Sequence, residues 1–423
     1  MTVRTSLLLL ACAGSLLLPS PVAAQTAPAA RRSVAAIRLT DTQTVTLDGR
    51  LDEPFWSSAA PATDFVQVDP ANGSPATEQT EVRMAYNSHA LFMGVTCLDS
   101  EPEKWIGYQR RRDEFLSSDD RFMWTIDTFM DARSGYFFEM NPSGMMGDST
   151  MGGGIDNRQW DGIWNARVTR SEIGWTIEIM IPFRSLNFDP NNDEWGINFQ
   201  RTVRRKNEDS IWMGWARNQG LRRMANAGVV TGIRNVTQGL GLDVKPYALA
   251  IAESSPGRGT PGFSKNAEAG VDVFYSPTPG LRSVLTVNTD FAQTEVDQRQ
   301  VNLTRFSLFF PERRDFFLDG APFFAFGSPV NGDLIVNPFF SRRIGLTPSG
   351  TPQTINYGAK VTGQMGRQDV GFLHVRTGED NGTIGEEFTV ARVRRRILSQ
   401  SSFGGIYTRR DPHGDQSSTR QTA

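Results

Sequence analysis

"EVRMAYNSHALFMGVTCLD", residues 81–99, decides the fold. Val82, Met84 and Tyr86 fall on one side of an extended chain, Asn87 and Ser88 supply a turn, and Leu91, Met93, Val95 and Cys97 fall on one side of the return. Apolar residues at every second position mark strands with one buried face, so the stretch is predicted as a β-hairpin.

The rhythm recurs downstream. In "DRFMWTIDTFMDARSGYFFEMNP", residues 120–142, Phe122, Trp124 and Ile126 alternate up to Asp127, a polar turn ends at Gly135, and Tyr136 to Met140 runs back. "GWTIEIMIPF" (174–183) offers Trp175, Ile177, Ile179 and Ile181, and "WGINFQRTV" (195–203) offers Trp195, Ile197 and Phe199. Strands at this spacing predict a β-sandwich. At roughly 190 residues it is large enough to bury a core without disulfides or metals.

A second regime starts near Gly239. "GLDVKPYALAIAES" (241–254), "NAEAGVDVFYSP" (266–277), "LRSVLTVNTDFAQ" (281–293), "DVGFLHVRTGED" (369–380) and "FTVARVRRRILS" (388–399) are alternating segments separated by turn residues. This rhythm fits the strands of an outer-membrane β-barrel, and it fits a second soluble sandwich as well. Between them "RFSLFFPERRDFFLDGAPFFAFG" (305–327) crowds eight Phe among charges. Those rings need a covering surface: a barrel lumen, a membrane-interface girdle or the N-terminal domain.

The N-terminus predicts export. Arg4, an apolar run from Leu7 to Leu18, "PSP" and then "VAA" before a cut after Ala24 make a signal peptide. The run continues past Cys12, which disfavours a lipoprotein cut there. Of the two cysteines, Cys97 alone then remains in the mature chain, so no disulfide framework is expected. No later apolar run reaches the ~18 residues of a spanning helix, so a membrane would be crossed only by a barrel. A net charge of −2 gives no sign of a nucleic-acid partner. Residues 25–40, rich in Ala, Thr, Pro and Arg, are expected to form a flexible leader.

Catalytic signals are few. His89, His374 and His413 are scattered, and "GRGTPG" (257–262) satisfies a dinucleotide-loop spacing between strands, where a turn is the better reading. Asp119, Asp120, Asp127 and Glu178 are the acids from which a glycosidase pair would have to come. Asp119, Asp127 and Asp131, at the ends of one hairpin, offer hard oxygen ligands suited to structural Ca²⁺, or else cap turns. "NPSGMMGDSTMGGGIDNRQWDGIWNA" (141–166) reads as a long loop. Trp160 there, beside Asp156, Asn157 and Asp161, is a candidate sugar platform, since a pyranose stacks a C–H face on indole while its hydroxyls meet carboxylate and amide. Trp164, closer to the next strand, is expected in the core.

"LDGRLDEPFW" (47–56) is similar to the I-D-G-x-x-D-E-x-x-W phrase that opens family 9 carbohydrate-binding modules. "LFMGVTCLD" (91–99), "DDRFMWTIDTFMD" (119–131), "YFFEMNPSG" (136–144), "DGIWNA" (161–166), "GWTIEIMIPFRSL" (174–186) and "WGINFQR" (195–201) follow in order. The resemblance implies glycan binding between loop tryptophans, with Trp105, Trp160 and Trp164 as candidates. The expected site is thus Trp160, Trp105, Asp156, Asn157 and Asp161. It also implies that Leu47, Leu51, Phe55 and Trp56 anchor the first turn while Asp48, Asp52 and Glu53 cap it.

"VNTDFAQTEVDQRQVNLTRFSLFFPERRDFFLDG" (287–320) resembles the barrel portion of bacterial outer-membrane proteins in which a barrel follows such a module. The expected protein is all-β, with a signal peptide (1–24), a leader (25–40), a sandwich (41–238) and an outer-membrane barrel portion (239–423). About seven or eight candidate strands after Gly239, and an ending without a terminal aromatic, lead us to expect a barrel that continues beyond Ala423. The expected role is glycan binding at the cell envelope, linked to carbohydrate catabolism. The alternatives are a module attached to a hydrolase of O-glycosyl bonds, and a transport or assembly barrel whose sandwich no longer binds sugar.

Overall fold

The computed structural model describes residues 31–40, 42–152, 155–158, 160–255, 262–288, 312, 314–326, 338–346, 353–379, 384–397, 401–413 and 421–422. The expected signal peptide, the start of the leader, most of the "GRGTPG" turn and Phe306, Phe309 and Phe310 lie outside the described residues.

Thirteen strands build the N-terminal part: β1 (Ser33–Arg38), β2 (Val66–Asp69), β3 (Thr80–Tyr86), β4 (Ala90–Leu98), β5 (Arg121–Asp127), β6 (Gly135–Met140), β7 (Met146–Gly152), β8 (Ile155–Asn157), β9 (Asn165–Ser171), β10 (Gly174–Pro182), β11 (Glu194–Val203), β12 (Glu208–Ile211) and β13 (Gly228–Thr231). One layer runs β8-β7-β6-β5-β11-β13, and the other β3-β4-β10-β9. The alternating residues face each other between the layers. Val82, Met84, Met93, Val95, Ile177 and Ile179 from one side meet Phe122, Trp124, Phe138, Trp195, Ile197 and Phe199 from the other in a single core. The hairpin at residues 81–99 is β3–β4, paired Val82 to Val95 and Met84 to Met93, in the expected register.

Strand β1 corrects the mobile-leader reading for residues 33–38. Its first half pairs in parallel with β13 and its second half in parallel with β3, so this strand joins the two layers. Val34 and Ala36 point into the core. Two small apolar residues in a polar context carry little sequence signal, and the backbone ladder supplies the rest. The expected long loop at 141–166 is also partly strand. β7 and β8 extend the β5–β6 hairpin edgewise, because pairing to β6 overrides the low strand propensity of Gly and Asp.

The "LDGRLDEPFW" motif works through Glu178 of β10. The amides of Asp48 (3.0 Å) and Gly49 (3.3 Å) and the Trp56 indole (3.4 Å) all donate to this buried carboxyl group. Gly49, at φ +86°, lies flat on β9, where a Cβ would come within 2.8 Å of the Thr169 nitrogen. Phe55 and Trp56, on the short helix α1 (Pro54–Ser58), are buried, with Leu51 against them. Asp48 caps locally by accepting from Arg50, as expected, whereas Glu53 accepts from Thr46 and does not cap the helix through its side chain.

Burial, with the nearby Glu53 charge adding to it, pushes the Glu178 carboxyl up to about 7. Because the folded value exceeds that of the unfolded chain, its contribution to stability is complete below about pH 4.5 and is lost as pH rises through 7. Glu178→Gln should remove this component, flattening the stability curve between pH 5 and 8 by about 1–3 kcal/mol. Equal pH slopes for wild type and variant in denaturation would refute it.

Among the described residues, eight further strands form a separate antiparallel meander: β14 (Leu242–Ser255), β15 (Gly262–Thr278), β16 (Leu281–Val287), β17 (Ile355–Met365), β18 (Gln368–Thr377), β19 (Gly385–Arg396), β20 (Ser402–His413) and β21 (Gln421–Thr422). Each strand pairs with the next, and β14 and β21 are the ends of the path, so the described sheet is not closed. Its two faces differ in character. Leu242, Val244, Tyr275, Leu285, Val287, Tyr357, Phe372, Val393, Phe403 and Tyr407 are exposed on one face. The other face buries Thr286, Lys360, Thr362, Gln364, Asp369 and Arg392 beside an apolar cluster of Phe274, Val284, Leu373, Val375 and Val390.

Part of the Phe-rich stretch covers that inner face and packs on its apolar cluster. The helical turn α2 (Asp315–Leu318) and a 3-10 turn at Ala321–Phe324 bury Phe316, Phe317 and Phe324 there. Lys360 donates to the Phe316 and Asp319 carbonyls, and Arg392 to that of Phe323 at 2.9 Å. Among the described residues no helix is long and apolar enough to cross a membrane.

Candidate functional site

A cleft of about 480 Å³ opens where the sandwich meets the inner face of the second sheet. The sandwich contributes Asp131, Tyr136, Trp160, Asp161, Arg184 and Asn187. The second sheet contributes Lys245, Phe274, Arg282, Gln364, Asp369 and Arg394, and the α2 segment adds Asp315, Asp319 and Phe323.

Trp160 is its aromatic wall. The ring is half-buried, 5.1 Å from Tyr136 and 6.2 Å from Phe138, so one side backs onto the sandwich core. Gly162 is required by this pose, since a Cβ there would come within 2.5 Å of the indole. Tyr136 accepts a hydrogen bond from the Asn187 amide at 2.8 Å, and burial pushes its phenol up to about 12. It is therefore a neutral hydroxyl at physiological pH.

Charges on the second-sheet side of the cleft are paired with one another. Lys245 meets Asp315 at 3.2 Å, Arg282 meets Asp319 at 2.9 Å, and Arg394 meets Asp369, which also accepts from Gln364 at 2.8 Å. Asp161 reaches Arg112 at 2.7 Å and remains largely exposed. The lining thus presents oriented carboxylates, guanidinium groups and amides around aromatic faces, a surface that matches polyhydroxylated ligands.

The expected site residues divide. Trp160 and Asp161 line the cleft; Trp105, Asp156 and Asn157 do not. Trp105 stacks under Arg170 of β9 with the guanidinium 4.4 Å from the ring, and Asp156 on β8 is ion-paired to Arg222. Asn157, also on β8, accepts from the Trp160 amide at 3.4 Å and so positions the tryptophan's loop. The strand character of β8 separates the two groups: residues four apart on a loop were expected on one surface, and pairing to β7 turns Asp156 away. Trp164 is core, as expected, edge-on to Trp124 at 5.5 Å.

The expected calcium triad is corrected. Asp119 precedes β5 and Asp127 ends it, so the strand holds them apart, and among the described residues no group of three acids, histidines or cysteines is placed to hold a metal. Asp119 accepts from Gln109 and Asn141. Asp127 accepts from the amides of Phe129, Asp131 and Ala132, and Asp131 from Arg133 and Ser134. Burial first, and the neighbouring Asp131 second, push the Asp127 carboxyl up to about 7. The acids weighed for glycosidase chemistry are similarly engaged: Asp120 accepts from Ile106 and Arg204, and Glu178 holds the opening motif.

Sequence reading missed Tyr136, Arg184 and Asn187, and every residue from the second sheet. Tyr136 carried only a core signal, and no periodicity tells which turn of one domain will face another.

A family model described as a domain of unknown function, DUF5916, matches residues 239–369. No curated protein matches the chain. Among solved structures, a family 9 carbohydrate-binding module from Caldicellulosiruptor kristjanssonii in complex with cellotriose aligns at 11% identity over 47% of this chain and 93% of its own, with a TM-score of 0.35. The same module in complex with glucose aligns over 48% of this chain and 96% of its own, at 11% identity and a TM-score of 0.35. A candidate carbohydrate-binding protein from Bacteroides uniformis aligns at 12% identity over 48% of this chain and 99% of its own, with a TM-score of 0.39.

Proposed function

We propose that the chain binds an oligosaccharide in the cleft beside Trp160, and that strands β14–β21 belong to a β-barrel embedded in a bacterial outer membrane. The observation that carries the first part is the half-buried indole, backed by Tyr136 and flanked by Asp161, Arg184 and Asn187. An aromatic face with polar groups at its edge matches a pyranose, whose C–H face stacks while its hydroxyls bond laterally. The order of motifs resembling family 9 carbohydrate-binding modules supports the same reading.

The exposed apolar face of the second sheet supports the membrane. An apolar outer face opposite an inner one that holds charged groups such as Lys360, Asp369 and Arg392 is the arrangement that lipid imposes on barrel strands. A signal peptide at residues 1–24 would deliver such a protein to the envelope, and bound glycan would feed carbohydrate catabolism.

Trp160→Ala should weaken glycan binding by about 1–3 kcal/mol, the scale of one buried aromatic contact. A glycan array identifies the ligand with wild-type protein, and calorimetry then compares the variant. Because the ring also backs onto Tyr136 and Phe138, Asn187→Ala serves as a second variant that spares the core. Undiminished affinity in both would move the site elsewhere.

A further inference from the structure

The connections of the second sheet differ by end. At the end where β14 begins, the turns are short: Pro279–Gly280 joins β15 to β16, Gly366–Arg367 joins β17 to β18, and residues 397–401 join β19 to β20. At the opposite end the links are longer. Residues 256–261 follow β14, residues 288–354 follow β16, residues 378–384 follow β18 and residues 414–420 follow β20.

The sandwich sits at the short-turn end. The Phe188 amide donates to the Pro279 carbonyl at 3.0 Å, and Gln238, just ahead of β14, donates to Leu186 at 2.5 Å. The cleft opens at this same end, lined by Gln364, Asp369 and Arg394 where β17, β18 and β19 meet the short turns.

Outer-membrane barrels keep short turns on the periplasmic side and long loops outside. We infer that the sandwich stands in the periplasm against the inner mouth of the barrel, so that the cleft takes an oligosaccharide present beneath the outer membrane and not a polymer outside the cell. This rests on the membrane reading above. The placement of the cleft agrees with it. A cleft shared by the sandwich wall and the inner face of the sheet is reached from the mouth of the barrel, and the α2 segment enters the same space from the long connection between β16 and β17.

The test is labelling of the full-length protein in a Gram-negative host with a membrane-impermeant maleimide. Glu172→Cys places a thiol on an exposed sandwich turn, Glu379→Cys places one on an exposed connection at the long-loop end, and the wild type, with Cys97 buried, sets the background. Glu379→Cys should label in intact cells, and Glu172→Cys only after the outer membrane is permeabilised. Labelling of Glu172→Cys in intact cells, with or without Glu379→Cys, would overturn the inference. If neither labels until permeabilisation, the sheet is not a surface-reaching barrel, and the membrane reading falls together with this one. Glycan affinity of the purified protein tests the cleft separately from either outcome.

Discussion

Trp164→Ala should destabilise the sandwich by about 3–5 kcal/mol, the cost of emptying a large aromatic site in a close-packed core. The ring is 3% exposed and meets Trp124 and Phe138 edge-on at 5.5 and 5.3 Å. Its indole also donates to Asp148 at 2.8 Å. Asp148 is buried, which pushes its carboxyl up to about 6, and it otherwise accepts from Gly162 at 3.0 Å and from Arg112. The substitution therefore opens a cavity and also removes one donor from a buried acid, a loss that adds about 1–3 kcal/mol where nothing replaces it. Chemical denaturation followed by near-ultraviolet circular dichroism reads the effect, which corresponds to a fall in melting temperature on the order of 10 °C for a domain of this size. A loss below about 1 kcal/mol would show that Trp164 is not a core residue. A Trp160→Ala variant that melted lower than Trp164→Ala would exchange the roles given to the two rings.

On the membrane reading proposed above, Leu285→Arg should cost up to about 2–4 kcal/mol when the protein is folded into lipid vesicles, the scale of the penalty for a cation on a lipid-facing strand. Leu285 lies in β16, 49% exposed, between Val273 of β15 and Ala359 of β17. In water a half-exposed leucine can be replaced with arginine at little cost, since surface substitutions usually stay within about 0.5 kcal/mol. The environment thus decides the magnitude. Equilibrium unfolding from vesicles is the measurement, and a change under about 0.5 kcal/mol would remove this face of the sheet from the membrane.

Much of the sandwich was legible because its signal is local. Val82, Met84, Met93 and Val95 alternate in the sequence and pair in that register, and the same holds for Phe122, Trp124 and Ile126 opposite Tyr136 and Phe138. Period-two burial is a property of a single strand, so it survives in the sequence. The core position of Trp164 followed from its closeness to β9. What failed were readings that depend on partners. β1 looks like a polar leader until β13 and β3 flank it, and "MMGDSTMG" looks like a loop until β6 pairs with it.

The site was legible only at Trp160 and Asp161. Its other walls come from Arg184 and Asn187 and from strands more than 80 residues further along the chain, and no local pattern connects these. Asp119, Asp127 and Asp131 show the converse. They are close in sequence, yet a seven-residue strand separates the first from the other two, and backbone amides occupy their oxygens.

The sequence by itself determined that this is an all-β protein, where its first hairpins turn and which faces those strands bury, because alternation encodes burial residue by residue. Only the tertiary structure decided that the second sheet turns its more apolar face outward, that the Phe-rich segment covers its inner face, and that a cleft lies between sheet and sandwich. Alternation states that two faces differ; which face meets solvent, lipid or protein depends on what packs against it.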